Sequence, residues 1–293
     1  MRFRDYFTNN GKPAISFELF PPKTERGLNT LKTRVLPNLV KLAPSYITVT
    51  YGAGGSTQGH TLEIASAVKN DFNLESACHL TCVGASKDEV SEVVTKIREA
   101  GIENIVALRG DPPKGRDSFV AHENGFSHAN ELVEHIRSTE NASQPFGLAV
   151  AGYPEKHLEA ENLDIDIENL KRKVDAGADI IVTQLFYDNA AFFAYQDKVR
   201  AAGIDLPLVP GLMPIQSSSQ IQRIASLCGA ALPADLLSEL QAAGEDDEKA
   251  TEIGTAQCIE QSKELLANGA PGIHYYVLNR SPQIRRIMKA LPV

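Results

Sequence analysis

Cysteine is scarce in this chain and never falls in a C-x-x-C pair. Cys78, Cys82, Cys228 and Cys258 are the four in 293 residues, too few and too scattered for a disulfide framework, so reduced thiols are expected. Cys78, His79 and Cys82 raise the question of zinc, but they fall in one short strand, where alternate side chains face opposite ways. No metal is expected. Long apolar runs are missing too. Nothing approaches the roughly 20 apolar residues that span a bilayer, and the N-terminal MRFRDYFTNNGKPAISF lacks the continuous apolar segment of a secretion signal. A soluble, cytoplasmic protein without a membrane partner is expected. Basic charge is also short: a net charge of −8 leaves no stripe able to neutralise several phosphates of a nucleic acid. Small molecules are the expected partners.

What is present is a steady alternation. Strand-length apolar runs lie at Ala14 to Phe20, Tyr46 to Thr50, Glu75 to Thr81, Asn104 to Leu108, Gly147 to Ala151, Asp179 to Gln184, Pro207 to Pro210 and Gly272 to Val277. Between them, segments such as LNTLKTRVLPNLVKLA and KDEVSEVVTKIREA carry apolar residues at three- and four-residue spacing, as helices covering a parallel sheet require. Four helix-to-strand joints, EAGIENIVAL, DAGADIIVTQ, AAGIDLPLVP and NGAPGIHYYV, set glycine after the helix, the residue suited to a left-handed helix end. Eight reiterated βα units predict a (β/α)8 TIM barrel, with an open doubly wound sheet as the alternative. Residues 1–293 are expected to form a single domain, since no linker or low-complexity segment divides them. Gly229 to Asn268 holds more helix than one unit needs, which predicts an extra helical insertion before the eighth strand.

In such a barrel the site lies at the carboxyl ends of the strands. Glu18 sits inside the first strand, where a buried carboxylate needs a partner or a purpose; the alternative is a side chain pointing outward between helices. The second run leads through Thr50 into Tyr51-Gly52-Ala53-Gly54-Gly55-Ser56, a turn able to bring backbone N–H groups to a phosphate or to lie as a plain loop. It is not a Rossmann fingerprint, because the third glycine of G-x-G-x-x-G would fall on Thr57. His79 follows in the third strand, Arg109, Gly110 and Asp111 after the fourth, Tyr153, Glu155 and His157 after the fifth, Gln184 after the sixth, and Asn279 and Arg280 after the last. Singly, each is more often surface than site; together they describe a pocket lined from many sides. Spacing supports a barrel enzyme with an acid, a cation and several amides at its mouth, and names no reaction.

At FELFPPK, TVTYGAGGS, CHLTC, ALRGDPP, AGYPEKH, NLKRKVDAGAD, VTQLFYD, PGLMPI and YYVLNR the chain resembles the methylenetetrahydrofolate reductases, in family order from residue 17 to residue 280. The resemblance implies a TIM barrel that binds FAD without a covalent bond. It implies hydride uptake from NADH or NADPH, with NADH the expected donor, and delivery to 5,10-methylenetetrahydrofolate, giving 5-methyltetrahydrofolate for methionine synthesis. By motif, Glu18 resembles the catalytic acid. Asp111 resembles a residue that tunes flavin and folate. The flavin contacts map to Thr50, Tyr51, Ala53, His79, Arg109, Gly110, Asp111, His128, Ala129, Tyr153, His157, Asp166, Asn169 and Lys173, with His128 standing where relatives often have an aromatic residue. Gln184 resembles a ligand of folate and nicotinamide, while Gln220 and Arg280 match positions that hold the folate. With Asp111 near it, the Glu18 carboxyl is expected to keep a proton at neutral pH. The resemblance also implies a homo-oligomer and, with Val293 soon after the last barrel helix, no control by S-adenosylmethionine. Another FAD-dependent barrel oxidoreductase and a non-catalytic folate-binding protein are the competing functions.

Overall fold

A computed structural model describes residues 1–8, 11–51, 58–112 and 118–292. The first strand, β1 (Ala14–Leu19), shows how the sequence builds the sheet. Ile15, Phe17 and Leu19 join the hydrophobic layer beneath the helices, while Glu18 lines the barrel interior, as the two-residue period of a strand dictates. The same alternation recurs in β2 (Tyr46–Val49), β3 (Glu75–Thr81), β4 (Asn104–Leu108), β5 (Gly147–Gly152) and β6 (Ile180–Thr183). All pairings are parallel, and the sheet runs β6-β5-β4-β3-β2-β1-β9, where β9 is Gly272–Tyr276. The TIM-type barrel expected from the alternation is therefore the fold.

The seventh strand departs from expectation. Instead of one run from Pro207 to Pro210 it forms two short pieces, β7 (Leu208–Val209) against β6 and β8 (Gly211–Leu212) against β9. Pro210 between them has no N–H for a ladder. Its carbonyl instead accepts from the His274 backbone N–H at 2.9 Å. The break thus passes the chain from one neighbour to the other and closes the barrel.

Local sequence sets the helix ends. Ser86 and Glu89 form a reciprocal capping box before Val90, Val94 and Ile97 turn their apolar stripe inward. Gly101, Gly177, Gly203 and Gly269, the four joint glycines, all have positive φ, between 74° and 114°. The stretch expected as one helix after β1 is instead Glu25–Thr30, a wider π turn at Leu31–Val35, and Leu36–Val40. Pro37 withdraws a backbone donor there.

The predicted insertion is present as helices Ala234–Ala243 and Asp247–Ala267, between helix Ser218–Cys228 and β9. Leu236, Leu240 and Ala243 pack with Leu185, Tyr187, Met213 and Ile215, so the insertion walls one side of the barrel mouth. The opposite end is plugged by the N-terminal residues. Phe3 is fully buried against Tyr46, ring centroids 5.1 Å apart, and its N–H donates to Asn104 Oδ1 at 2.7 Å. Among the described residues no helix is long and apolar enough to cross a membrane.

Candidate active site

Inward positions on β3 and β5 carry the small residues Ala77, Ala149 and Ala151, where the filled layers of a TIM barrel usually carry branched ones. A cavity of about 1140 Å³ results, lined from Phe3 at the floor to the loops at the carboxyl ends of the strands. Glu18, Thr50, Tyr51, His79, Arg109, Gly110, Asp111, His128, Ala129, Tyr153, His157, Asp166, Asn169, Lys173 and Gln184 all line it. Ala53 lies outside the described residues. Gln220 and Arg280 are exposed and stand outside the cavity wall, at the start of helix Ser218–Cys228 and of helix Ser281–Ala290.

Glu18 points inward rather than out between helices, and is 6% exposed. Its Oε2 meets His79 Nε2 at 3.1 Å and His274 Nε2 at 3.3 Å. Burial opposes the charged form, but the charge and hydrogen bonds of the two imidazoles outweigh it and hold the carboxyl down to about 2. This corrects the expectation of a carboxyl that keeps its own proton: Glu18 here is a carboxylate. Asp111 is exposed at the rim after β4 and is not among the groups that set the Glu18 ionisation.

A second cluster is cationic. Arg109 makes a two-point pair with Glu159, 2.6 and 2.7 Å, and lies 4.9 Å over the Phe119 ring. Lys173 donates to the Ala151 carbonyl at 2.6 Å and lies 5.7 Å from the Tyr153 ring. Burial pulls its ammonium down to about 8, with Asp166 acting the other way. His157 packs edge-on against Tyr153 at 4.8 Å, and its backbone N–H donates to Asp166 Oδ2 at 3.0 Å. Burial likewise lowers the His157 pKa.

Backbone demands explain two of the loop residues. Gly110 has φ +87°, and a Cβ there would stand 2.8 Å from Val83 Cγ2, so this corner of the mouth admits no side chain. Asn279, in the LNR motif, bonds both the N–H and the carbonyl of Phe20 (3.0 and 2.7 Å), tying the exit of β1 to that of β9.

Several lining residues were not singled out by sequence. His274 and Tyr276 alternate along β9, but GIHYYV reads as a continuous apolar run. Arg172 stands three residues beyond Asn169 and bonds its Oδ1 at 3.2 Å, so helical spacing pointed to it. Glu159 had no signal beyond its nearness to His157. Cys78 and Cys82 lie in the layer beneath the helices, away from the inward His79. Among the described residues no cluster of His, Cys, Asp and Glu could hold a metal ion.

Fold and pocket define the class: a (β/α)8 barrel whose ligand cavity opens at the carboxyl ends of its strands. Within that class, the family model described as methylenetetrahydrofolate reductase matches residues 2–292, and the chain belongs to that family. It is 44% identical over 281 residues to methylenetetrahydrofolate reductase (NADH) 1 of Arabidopsis thaliana, covering 93% of this chain and 47% of the plant protein. The chain thus spans about half the length of that relative. It is 34% identical to the 5,10-methylenetetrahydrofolate reductase of Pectobacterium carotovorum subsp. carotovorum, covering 92% of this chain and 87% of the other. A solved structure from Clostridium thermocellum, a protein described as binding two copies of 5-methyl-5,6,7,8-tetrahydrofolic acid, shares the fold. Its TM-score is 0.64 at 15% identity, over 98% of this chain and 96% of that one.

Proposed function

We propose that the chain reduces 5,10-methylenetetrahydrofolate to 5-methyltetrahydrofolate through FAD, with NADH as the preferred donor, the two substrates using one cavity in turn. The observation that carries the reading is the Glu18 carboxylate held by two imidazoles on the inner wall of a cavity of about 1140 Å³. A cavity that large exceeds the roughly 300–1,000 Å³ of ordinary small-molecule pockets and suits a dinucleotide with a second ring system beside it. The residues fit FAD. Arg109, His157 and Lys173 bring cations and donors to one wall of an otherwise acidic protein, as a diphosphate requires. The buried Lys173 ammonium, pulled down to about 8, would recover its ordinary proton affinity beside that anion.

In this reading Arg109, His157, Lys173 and Arg172 hold the diphosphate, and Asp166 and Asn169 accept from or donate to ribose hydroxyls. Thr50, Tyr51, His79, Gly110 and Asp111 face the ring end, with Ala53, His128 and Ala129 completing the flavin contacts. When bound, FAD supplies the two-electron carrier that takes hydride from the nicotinamide and yields it to the folate. Gln184, whose Oε1 accepts the Leu185 N–H at 2.9 Å, is kept turned at the mouth, where either ring can meet its amide. In this reading Gln220 and Arg280 meet the folate tail, and the guanidinium suits its carboxylates.

In this reading Glu18, a carboxylate in the free protein, takes up a proton from solvent when the folate is bound and delivers it. The imidazolidine ring of the folate becomes a hydride acceptor when a C–N bond opens, its electron pair passing to a nitrogen that takes up a proton. The test is direct: the purified protein should show a flavin spectrum, release FAD on denaturation, and oxidise NADH continuously only when methylenetetrahydrofolate is added. A protein without flavin, or one that is bleached by NADH and not reoxidised by the folate, would refute the reading.

A further inference from the structure

The loop after β5 brings its own acid to the cationic wall. Glu159 Oε2 and Oε1 accept from Arg109 Nη1 and Nη2 at 2.6 and 2.7 Å, so the end of the guanidinium fork is filled. Both residues line the cavity. The other two fixed cations of that wall, Arg172 and Lys173, donate to neutral oxygens instead: the Asn169 amide at 3.2 Å and the Ala151 carbonyl at 2.6 Å. Of these three cations, Arg109 alone is hydrogen-bonded to an anion among the described residues.

We propose that Glu159 is an internal stand-in for the flavin diphosphate, its carboxylate occupying the Arg109 fork until FAD displaces it. The proposal rests on the flavin reading above. A carboxylate offers a guanidinium two oxygens in one plane, and so does a phosphate, which makes each a substitute for the other on the same two N–H groups. Two anions cannot both keep that end of the fork: a diphosphate bonded there would stand against the Glu159 oxygens, and like charges so close repel. The Arg109 bonds hold the Glu159 carboxyl below its ordinary range, so the competing charge is present throughout the neutral region.

The displacement costs little. The Glu159 side chain is 52% exposed against 22% for Arg109, and among the described residues its carboxylate has no second hydrogen-bond partner, so a rotation delivers it to water. The loop backbone need not move. Lys156 Nζ ties the Ala160 carbonyl at 2.9 Å, and the Glu159 N–H donates to His157 Nδ1 at 3.1 Å. Burial favours the neutral His157 ring. With Nδ1 accepting, that ring carries its proton on Nε2, where it can meet the same diphosphate. The exchange gives Arg109 an anionic partner in both states and makes Glu159 a determinant of cofactor affinity. A residue that merely oriented Arg109 for the cofactor would have the opposite effect, because removing its charge would weaken binding.

The experiment titrates the apoprotein with FAD, read by quenching of flavin fluorescence, and with inorganic pyrophosphate, read by calorimetry. It compares wild type, Glu159→Gln, Arg109→Gln and the double variant. Glu159→Gln keeps the shape and removes the charge, and should lower the dissociation constants of both FAD and pyrophosphate by at least about threefold, the scale of a partly exposed ion pair. In the Arg109→Gln background the same change should give no gain, since there is no fork to release. Glu159→Ala, which cannot bond Arg109 at all, should gain at least as much, and serves if the glutamine variant does not fold. Equal or weaker FAD binding in Glu159→Gln and Glu159→Ala overturns the proposal, makes Glu159 a holder of Arg109 and leaves the flavin reading intact. A gain of full size in the Arg109→Gln background also overturns it, as a general effect of removing a negative charge. A wild-type apoprotein that binds no FAD overturns the flavin reading and the proposal together.

Discussion

Glu18 Oε2 and His79 Nε2 stand 3.1 Å apart inside the barrel, joining β1 to β3 through a carboxylate that burial alone would neutralise. With His274 on its other side, that carboxyl titrates at about 2 instead of 4.5. The unfolded chain therefore binds a proton at Glu18 that the folded chain refuses between these two values. Stability contributed by this group is complete above pH about 4.5 and lost as pH falls toward about 2. Urea unfolding of wild type and Glu18→Gln at several pH values should show the wild-type advantage shrinking over that window. A difference that stays constant would mean that the imidazoles do not hold the carboxylate.

The cationic wall makes a prediction of opposite sign. Burial holds the Lys173 ammonium down to about 8 even beside Asp166, and a bound diphosphate favours the charged form. FAD affinity, read from quenching of flavin fluorescence, should be constant below pH about 8 and weaken above it. Lys173→Met should bind more weakly at neutral pH and lose this dependence. An alkaline weakening that survives in Lys173→Met would assign it to another group.

Arg109 is fixed in a plane by the two-point pair with Glu159 and by the Phe119 ring. Lysine keeps the charge but cannot reproduce the fork. Arg109→Lys should raise the dissociation constant for FAD by about tenfold, equivalent to about 1.4 kcal/mol. Titration of the apoprotein checks this, and an unchanged constant would remove Arg109 from the flavin contacts.

At the other end of the barrel, Phe3→Ala should cost about 3–5 kcal/mol, because it empties a fully buried ring site against Tyr46. Its effect on the flavin should be small if the floor only seals the cavity. Denaturant unfolding monitored by circular dichroism gives the number; a cost below about 1 kcal/mol would show that the plug is not part of the core.

Most of the sheet was legible in the sequence because each inward-facing helix and buried strand must spend its apolar residues at a fixed period, and the joint glycines mark where helices stop. The pocket wall was legible for a related reason: polar residues gathered just past the apolar runs. What was missed depended on distant contacts. The break at Pro210 follows from the ring closing through His274, and the packing of Phe3 depends on Asn104, 101 positions away. His274 was hidden because an apolar run conceals which of its residues faces inward, and its contact with Glu18 spans 256 positions. The ionisation of Glu18 was misjudged for the same reason: Asp111, near in motif logic, is at the rim, and the groups that decide it come from β3 and β9.

The central claim, that Glu18 serves the folate half of the reaction as its proton donor, is tested most directly by Glu18→Gln with each half-reaction followed separately by flavin absorbance. Hydride transfer from the nicotinamide needs proximity and stacking, whereas opening of the folate ring needs a proton. The variant should bind FAD and be bleached by NADH within about tenfold of the wild-type rate, while reoxidation by methylenetetrahydrofolate slows by at least about 100-fold. Equal slowing of both halves, or of neither, would contradict the assignment.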